Sequence, residues 1–180
     1  VICPAAGAGI LGGGARTVGY LYAASAVGAV LATLVSGRLG SVRRQGVAIM
    51  VSIVGWGVGI SGLGVALLGA GEWLTLDQAL WASLFAMAVA GACDAVSAVF
   101  RTTILQSAAP DRMRGRLQGV FIVVVAGGPR LGELLGGVVA ERSGGGWMAV
   151  WGGVACGGAL GALSLRHRHF LRYDARHPTP

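Results

Sequence analysis

The chain contains no lysine and few charged residues of any kind, which make up 12% of its 180 residues. Soluble domains carry about 25% charged residues, so this sequence has too little polar surface to cover a soluble globule. The sequence is also 54% hydrophobic, with a mean hydropathy of +0.72. This composition argues against a soluble enzyme, a disordered chain and a secreted disulfide scaffold, and it indicates a membrane protein with several spans.

Cysteine and catalytic motifs are scarce as well. The three cysteines, Cys3, Cys93 and Cys156, lie far apart and form no C-x-x-C pair, so we interpret them as small buried hydrophobes. The H-E-x-x-H and G-x-S-x-G patterns of hydrolases are missing. His167 and His169 form an H-x-H in the basic tail, where a metal would need further ligands. We therefore expect no enzymatic activity, no cofactor and no metal site.

Long apolar runs dominate what is present. A run of about 20 apolar residues can cross the hydrocarbon core of a bilayer. The sequence has five such runs, over residues 17–37, 46–70, 79–100, 118–140 and 147–165. Residues 1–15 are interpreted as the end of an earlier span followed by a glycine-rich turn. The sequence thus predicts a transmembrane bundle over residues 1–165, truncated in its first helix, and a basic cytoplasmic tail over 166–180.

The distribution of arginine predicts the orientation of these spans. Residues 36–45, residues 101–117 and the tail after residue 165 carry eleven of the 14 arginines. The connections on the opposite side, at 72–78 and 141–146, carry three acids and a single arginine. Since short arginine-rich segments stay in the cytoplasm, we expect a multi-pass protein of the plasma or inner membrane with a cytoplasmic C-terminus. No nucleic-acid partner is expected, because no basic module with interleaved aromatic residues is present.

Glycine is abundant, with 33 residues. Lipid provides no hydrophobic drive for helices to associate, so close helix packing in a bilayer depends on small residues. Gly153, Gly157 and Gly161 recur every four residues on one face of the last span, and five glycines crowd residues 55–64 of the second. We interpret most of these glycines as helix-packing positions.

Three charged residues lie inside apolar spans, namely Asp94, Arg130 and Glu133. Without a partner, each charge would cost several kcal/mol in the hydrocarbon core, so each residue is expected to face protein or water. Arg130 and Glu133 are three residues apart and can pair on one helix face, either as a structural ion pair or as a substrate-facing or proton-coupling group. Asp94 is either the partner of a loop arginine or backbone amide, or part of a proton relay.

The connection at residues 36–46 reads S-G-R-L-G-S-V-R-R-Q-G. It resembles the G-x-x-(D)-x-x-G-R-R motif of the major facilitator superfamily, which lies between the second and third helices of each half and helps to lock the inward gate. Gly37, Arg43 and Arg44 match this pattern, Arg38 lies beside them, and the acidic position in the middle is absent. By this resemblance the four residues form a gating loop.

A second cytoplasmic motif strengthens the resemblance. Its residues are Arg101, Gln106, Asp111, Arg114, Gly115 and Arg116. Asp111 can cap the N-terminus of a short amphipathic interfacial helix, and G-G-P-R-L-G-E follows at residues 127–133. This region is similar to the C-terminal half of the enterobactin-exporter-like branch of that superfamily. The similarity consists of three segments in order: R-x-x-x-x-Q, then P-[DE]-x-x-R-G-R, then G-G-P-R-L-G-[DE].

The resemblance implies an all-α membrane protein, the C-terminal six-helix bundle of a major facilitator fold, with the five full spans as helices eight to twelve. It further implies a secondary active transporter, a proton-coupled antiporter that exports siderophores or drug-like molecules. Its partners would be the small-molecule substrate, protons, the lipid bilayer and an N-terminal half that this chain lacks. Asp94, Arg130 and Glu133 would be the substrate or coupling residues. The alternative is a membrane scaffold or assembly subunit that does not transport.

Overall fold

A computed structural model describes residue 9 and residues 11–39, 45–108, 111–143 and 145–166. The regular structure of these residues is helical, which confirms the predicted all-α class. Five α-helices follow one another, with a short 3-10 helix before the fourth: α1 Gly14–Leu39, α2 Gln45–Gly69, α3 Leu76–Ala108, the 3-10 helix Asp111–Met113, α4 Arg114–Ser143 and α5 Gly145–Arg166.

Each predicted span corresponds to one helix. Within the described residues, three stretches are long and apolar enough to cross a membrane: Gly14–Val35, Gly46–Gly69 and Leu76–Gln106. The other two predicted spans are helical in α4 and α5, and their crossing of a membrane stays a prediction. The bundle and tail boundaries also stay predictions, since residues 167–180 lie outside the described part.

Helix α3 is longer than the apolar run that predicts it. Its 33 residues extend about 50 Å at 1.5 Å per residue, against a hydrocarbon core of about 30 Å. The polar residues after Phe100 therefore continue the helix instead of starting a loop, and Arg101 lies on the same rigid element as Asp94. The interfacial helix predicted after Asp111 is not a separate α-helix. Only Asp111–Met113 form a separate 3-10 turn, and α4 begins at Arg114.

The connection between α2 and α3 is a tight turn that residue chemistry explains. Gly71 adopts a φ of 81°, a left-handed conformation that glycine tolerates without steric cost. Thr75 and Gln78 then form a capping box: the Thr75 amide donates to Gln78 Oε1 at 3.1 Å, and the Gln78 amide donates to Thr75 Oγ1 at 3.3 Å. These bonds satisfy amides at the helix start that have no intrahelical partner.

Helix α3 packs against both α1 and α2, and α2 also packs against α5. Glycines bring these helices together, as their abundance predicts. Gly28 of α1 lies against the backbone of Ala88 in α3. A Cβ on Gly64 of α2 would lie only 2.7 Å from the carbonyl oxygen of Gly146 in α5. Backbones this close leave no room for a side chain at Gly28 or Gly64.

A small apolar cluster joins the three apolar helices, and it consists of Leu21, Leu63, Leu67, Ala86 and Met87. Outside it, large apolar side chains face outward. Helix α4 exposes Val120, Ile122, Val123, Val124, Leu131 and Leu134, each by more than half of its surface. Such a surface suits lipid or neighbouring helices and not water, so the chain is a multi-pass α-helical membrane protein.

Candidate functional site

A pocket of about 220 Å³ lies between α2 and α3. We call it the α2–α3 pocket, and its lining residues are Ser52, Ile53, Trp56, Cys93, Asp94, Ser97 and Arg101. Residues 52–56 lie in the first half of α2, and residues 93–101 lie in the second half of α3. The pocket is therefore in the half of these two helices that leads to the arginine-bearing connections.

An ion pair forms part of its wall. Arg101 Nη2 lies 3.4 Å from Asp94 Oδ1. Seven residues separate the two, which is about two helical turns, so both side chains project from the same face of α3. The guanidinium also donates through Nε to the carbonyl oxygen of Ser97 at 3.3 Å. Arg101 thus folds back along its own helix toward the carboxylate.

This contact bears on the alternatives left open for Asp94. The structure provides an arginine partner, which is one of the two alternatives, and the carboxylate remains open to its surroundings. The side chain of Asp94 is 67% exposed and that of Arg101 is 36% exposed. A group that is paired and accessible suits proton exchange as well as a structural role, so the function of Asp94 stays a prediction.

Two serines line the α2–α3 pocket, and their hydroxyls differ in hydrogen bonding. Ser52 Oγ donates to the carbonyl oxygen of Ala48 at 2.8 Å. Ser97 is only 2% exposed, and within the described residues its Oγ has no hydrogen-bond partner. A buried hydroxyl without a partner is uncommon in native structures. Ser97 is therefore a pocket residue whose hydroxyl is not satisfied by the described part of the protein.

The sequence predicts only part of this pocket. It predicts that Cys93 is buried, but Cys93 is half-buried and lines the pocket beside Asp94. Cys156 is also half-buried. The signal for α3 was present, since polar or charged residues recur at 94, 97 and 101, the spacing of one helix face. The contribution of α2, through Ser52 and Trp56, had no comparable signal.

Two residues of the second cytoplasmic motif, Gln106 and Arg114, line another cavity, where α3 ends and α4 begins. It has a volume of about 580 Å³ and is lined by Thr103, Gln106, Arg114 and Gln118. Arg114 Nη2 donates to the carbonyl oxygen of Gln106 at 3.3 Å, which ties the two helices together. Gly115 and Arg116 are exposed in the first turn of α4. The side chain of Asp111 lies outside the described residues.

The remaining predicted site residues are not brought together by described contacts. Arg130 is exposed on α4, while the side chain of Glu133 lies outside the described residues, so their pairing stays a prediction. In the gating loop, Gly37 is exposed near the end of α1, and Arg38 belongs to that helix with an undescribed side chain. Arg43 and Arg44 lie outside the described residues. The gating role therefore rests on the sequence resemblance.

In the described part of the chain, no group of three or more histidine, cysteine, aspartate or glutamate side chains could hold a metal ion. The fold and the pocket define a class: an α-helical membrane protein with charged residues beside an open pocket between two of its helices. Comparison with known proteins identifies the relatives within that class.

The chain is similar to enterobactin exporters. It is 34% identical over 128 residues to enterobactin exporter EntS of Salmonella typhi, which covers 70% of this chain and 28% of the relative. The matches to EntS of Escherichia coli O81 and of Shigella flexneri are 32% identical with the same coverage. No family model and no solved structure matches. The chain is a homologue of these exporters, so the predicted relationship to the enterobactin-exporter-like branch of the major facilitator superfamily is confirmed.

The matched region spans 28% of the length of these relatives. The relatives are exporters and not enzymes, in agreement with the expectation for this chain. Their similarity extends over a part of each exporter, so the activity of the whole protein is treated below as a proposal.

Proposed function

We propose that this chain is the C-terminal part of a secondary active transporter that exports a siderophore or a similar small organic molecule across the inner membrane. The observation that carries the proposal is the 34% identity to an enterobactin exporter over 70% of the chain. The apolar helices and the polar groups between them support it, because transporters place polar residues in spans where a substrate or ion must pass.

In this proposal the described helices are helices eight to twelve of a twelve-helix protein, with the C-terminus in the cytoplasm. A second half supplies the other wall of the substrate cavity, and the two halves rock around it during transport. The arginine loop with Gly37, Arg38, Arg43 and Arg44 closes the cytoplasmic side, as in the family that it resembles.

Proton coupling is assigned to the charged residues of the spans. Asp94 is the coupling candidate with a defined environment, because it is paired with Arg101 and is accessible at the same time. Protonation would remove the charge that attracts the guanidinium, so Arg101 would be released when a proton binds. Arg130 and Glu133 are the other candidates, and they would line or brace the cavity between the halves.

The test is siderophore export by the full-length protein that contains this chain. The protein is produced in a bacterial strain that synthesises enterobactin but lacks its own exporter, and secreted enterobactin is measured. We expect secretion to be restored, and everted vesicles to accumulate the siderophore only with an imposed proton gradient. A protein that reaches the membrane but restores no secretion would favour the scaffold alternative. Accumulation in vesicles that persists without a proton gradient would exclude protons from the transport mechanism.

A further inference from the structure

The exposed tryptophans all lie in the half of the helix bundle that is remote from the arginine-bearing connections. Trp73 lies in the turn between α2 and α3, Trp81 five residues after the start of α3, and Trp147 two residues after the start of α5. Tyr20 lies six residues after the start of α1. We call these four side chains the aromatic girdle, and each of them is more than half exposed. Trp151 lies one helical turn further along α5 and is not counted in it.

Contacts between the helices place Trp81 and Trp147 at nearly the same level of the bundle. A Cβ on Gly64 of α2 would meet the residue directly before Trp147 in α5. A Cβ on Gly62 of α2 would meet Ala86, which lies five residues after Trp81 in α3. Since α2 and α3 run in opposite directions, Trp81 and Trp147 differ by only about 5 Å along the helix axes.

Tyr20 and Trp73 extend this level across the bundle. The residue after Tyr20, Leu21, belongs to the apolar cluster that also contains Leu63 and Met87, so Tyr20 lies near the same level. Trp73 lies slightly further out, in the turn that directly follows α2. Because α3 packs against α1 and α2, and α2 packs against α5, the girdle follows four neighbouring elements from one side of the bundle to the other.

The chemistry and the arrangement of the girdle fit a lipid surface. An indole or phenol ring has a large apolar surface and one polar group, so such rings collect where lipid headgroups meet the hydrocarbon core. A single helix of another protein would cover one or two of the four side chains, whereas a lipid leaflet surrounds the bundle at one level. We infer that the aromatic girdle binds the headgroup region of phospholipids in the outer leaflet and fixes the depth of the bundle in the bilayer.

The distance from the girdle to the arginines matches the thickness of a bilayer. Three helices carry both an aromatic girdle residue and an arginine near the opposite end: Tyr20 and Arg38 in α1, Trp81 and Arg101 in α3, and Trp147 and Arg166 in α5. The two residues are 18, 20 and 19 positions apart, respectively, which corresponds to about 27–30 Å. The hydrocarbon core is about 30 Å thick. A contact with another protein would not require this spacing in three helices.

This placement explains why α3 is longer than the hydrocarbon core. Residues 81–101 cross the core, residues 76–80 project into the outer headgroup region, and residues 102–108 project from the core on the cytoplasmic side. Asp94 lies seven residues before Arg101 and is therefore about 10 Å inside the apolar layer.

The test measures the depth of single tryptophans in the full-length protein that contains this chain. Variants that retain only Trp81 or only Trp147, with every other tryptophan replaced by phenylalanine, are reconstituted into phospholipid vesicles. The lipids carry bromine, which quenches tryptophan fluorescence on contact, either close to the headgroup or close to the chain ends. We expect both tryptophans to be quenched more strongly by bromine close to the headgroup.

Trp56 is the matched control, because it lies near the middle of the apolar layer. A Cβ on the adjacent Gly55 would meet Cys93 Sγ, and Cys93 lies twelve residues after Trp81, or about 18 Å deeper. Trp56 is also half-buried. We therefore expect weaker quenching of Trp56 than of Trp81, with the larger effect from bromine close to the chain ends.

A second measurement leaves the tryptophans in place. Single cysteines are introduced into α3 of a cysteine-free full-length protein and treated with a membrane-impermeant maleimide. We expect Asp77→Cys to be labelled from the outside of spheroplasts and Thr103→Cys to be labelled only in everted vesicles, because these exposed residues lie beyond opposite boundaries of the core. Phe85→Cys should stay unlabelled from both sides until denaturation, although Phe85 is exposed in the bundle.

Several results would overturn the inference. Stronger quenching of Trp81 and Trp147 by bromine close to the chain ends would place them too deep, and no quenching by either lipid would mean that another protein segment covers them. Labelling of Phe85→Cys in the folded protein, or of Asp77→Cys only from the cytoplasmic side, would contradict the placement of α3. None of these measurements depends on transport, so a failure to export siderophores leaves the girdle standing, and a failed girdle leaves export untouched.

Discussion

Arg101 turns back along helix α3 and places its Nη2 atom 3.4 Å from Oδ1 of Asp94, a residue two helical turns earlier. The arginine lies just past the apolar run, and its side chain reaches back beside it, as long basic side chains do near helix ends. This arrangement compensates the carboxylate without burying the pair. Two consequences can be measured separately, one for stability and one for transport.

The stability consequence concerns Arg101→Gln. Removing the guanidinium leaves Asp94 without its ion-pair partner, and we expect this variant to melt at a lower temperature than the wild-type protein in detergent. The loss should be about 0–1 kcal/mol, the usual range for ion pairs that stay accessible to solvent. The double variant Asp94→Asn/Arg101→Gln removes both charges and should recover most of the loss.

The double-mutant cycle isolates the interaction between the two residues. Each variant is purified as the full-length protein and its thermal unfolding is followed by size-exclusion chromatography after heating. Additive effects of Asp94→Asn and Arg101→Gln would mean that the two side chains do not interact in the membrane protein.

The transport consequence concerns Asp94→Asn. The amide keeps the shape of the carboxylate but cannot exchange a proton at physiological pH. If Asp94 couples export to protons, as proposed, gradient-driven uptake into everted vesicles should fall to the level seen without a gradient, because the amide cannot take up and release the coupled proton. Asp77→Asn is the matched control, because Asp77 is an exposed acid in the first turn of the same helix. Unchanged gradient-driven uptake in Asp94→Asn would exclude Asp94 from coupling.

How far the sequence predicts a contact depends on whether its residues lie on one helix or on two. Hydropathy alone predicts the helices, because a run of apolar residues must form backbone hydrogen bonds within itself in lipid. The Asp94–Arg101 contact can also be predicted from the sequence, since both residues lie on one helix at a spacing of seven. Contacts within one element depend only on helix geometry.

The wall that α2 contributes to the pocket could not be predicted in this way. Helix α2 is apolar on all sides, so its sequence does not indicate which face contacts α3. That Ser52 and Trp56 face the pocket follows from the rotation of α2 against two neighbours, α3 and α5. The abundance of glycine indicates close packing but not its partners: Gly64 contacts α5, whereas Gly132 of α4 has nothing within 4 Å of an added Cβ.

Helix packing through glycine leads to the next expectation. In Gly64→Ala the new Cβ would lie 2.7 Å from both the Gly146 carbonyl oxygen and the Val150 backbone nitrogen, so α2 and α5 must separate. We expect a loss of about 1–3 kcal/mol in unfolding free energy, typical of overpacking. Gly62→Ala is the control on the same helix, because its Cβ would make an ordinary 3.7 Å contact with Ala86. Equal melting temperatures of the two variants would contradict the described α2–α5 contact.

The capping box at the start of α3 predicts a local effect that is independent of transport. Thr75→Val removes the hydroxyl that accepts from the Gln78 amide at 3.3 Å, and N-cap losses of this kind cost about 1 kcal/mol. Thr103→Val is the control, since its Oγ1 donates to the Val99 carbonyl oxygen four residues earlier, on an exposed face of α3 and away from the helix start. We expect faster hydrogen exchange at residues 76–79 in Thr75→Val but not in Thr103→Val. Exchange that is unchanged in both would mean that Thr75 does not cap the helix in the membrane.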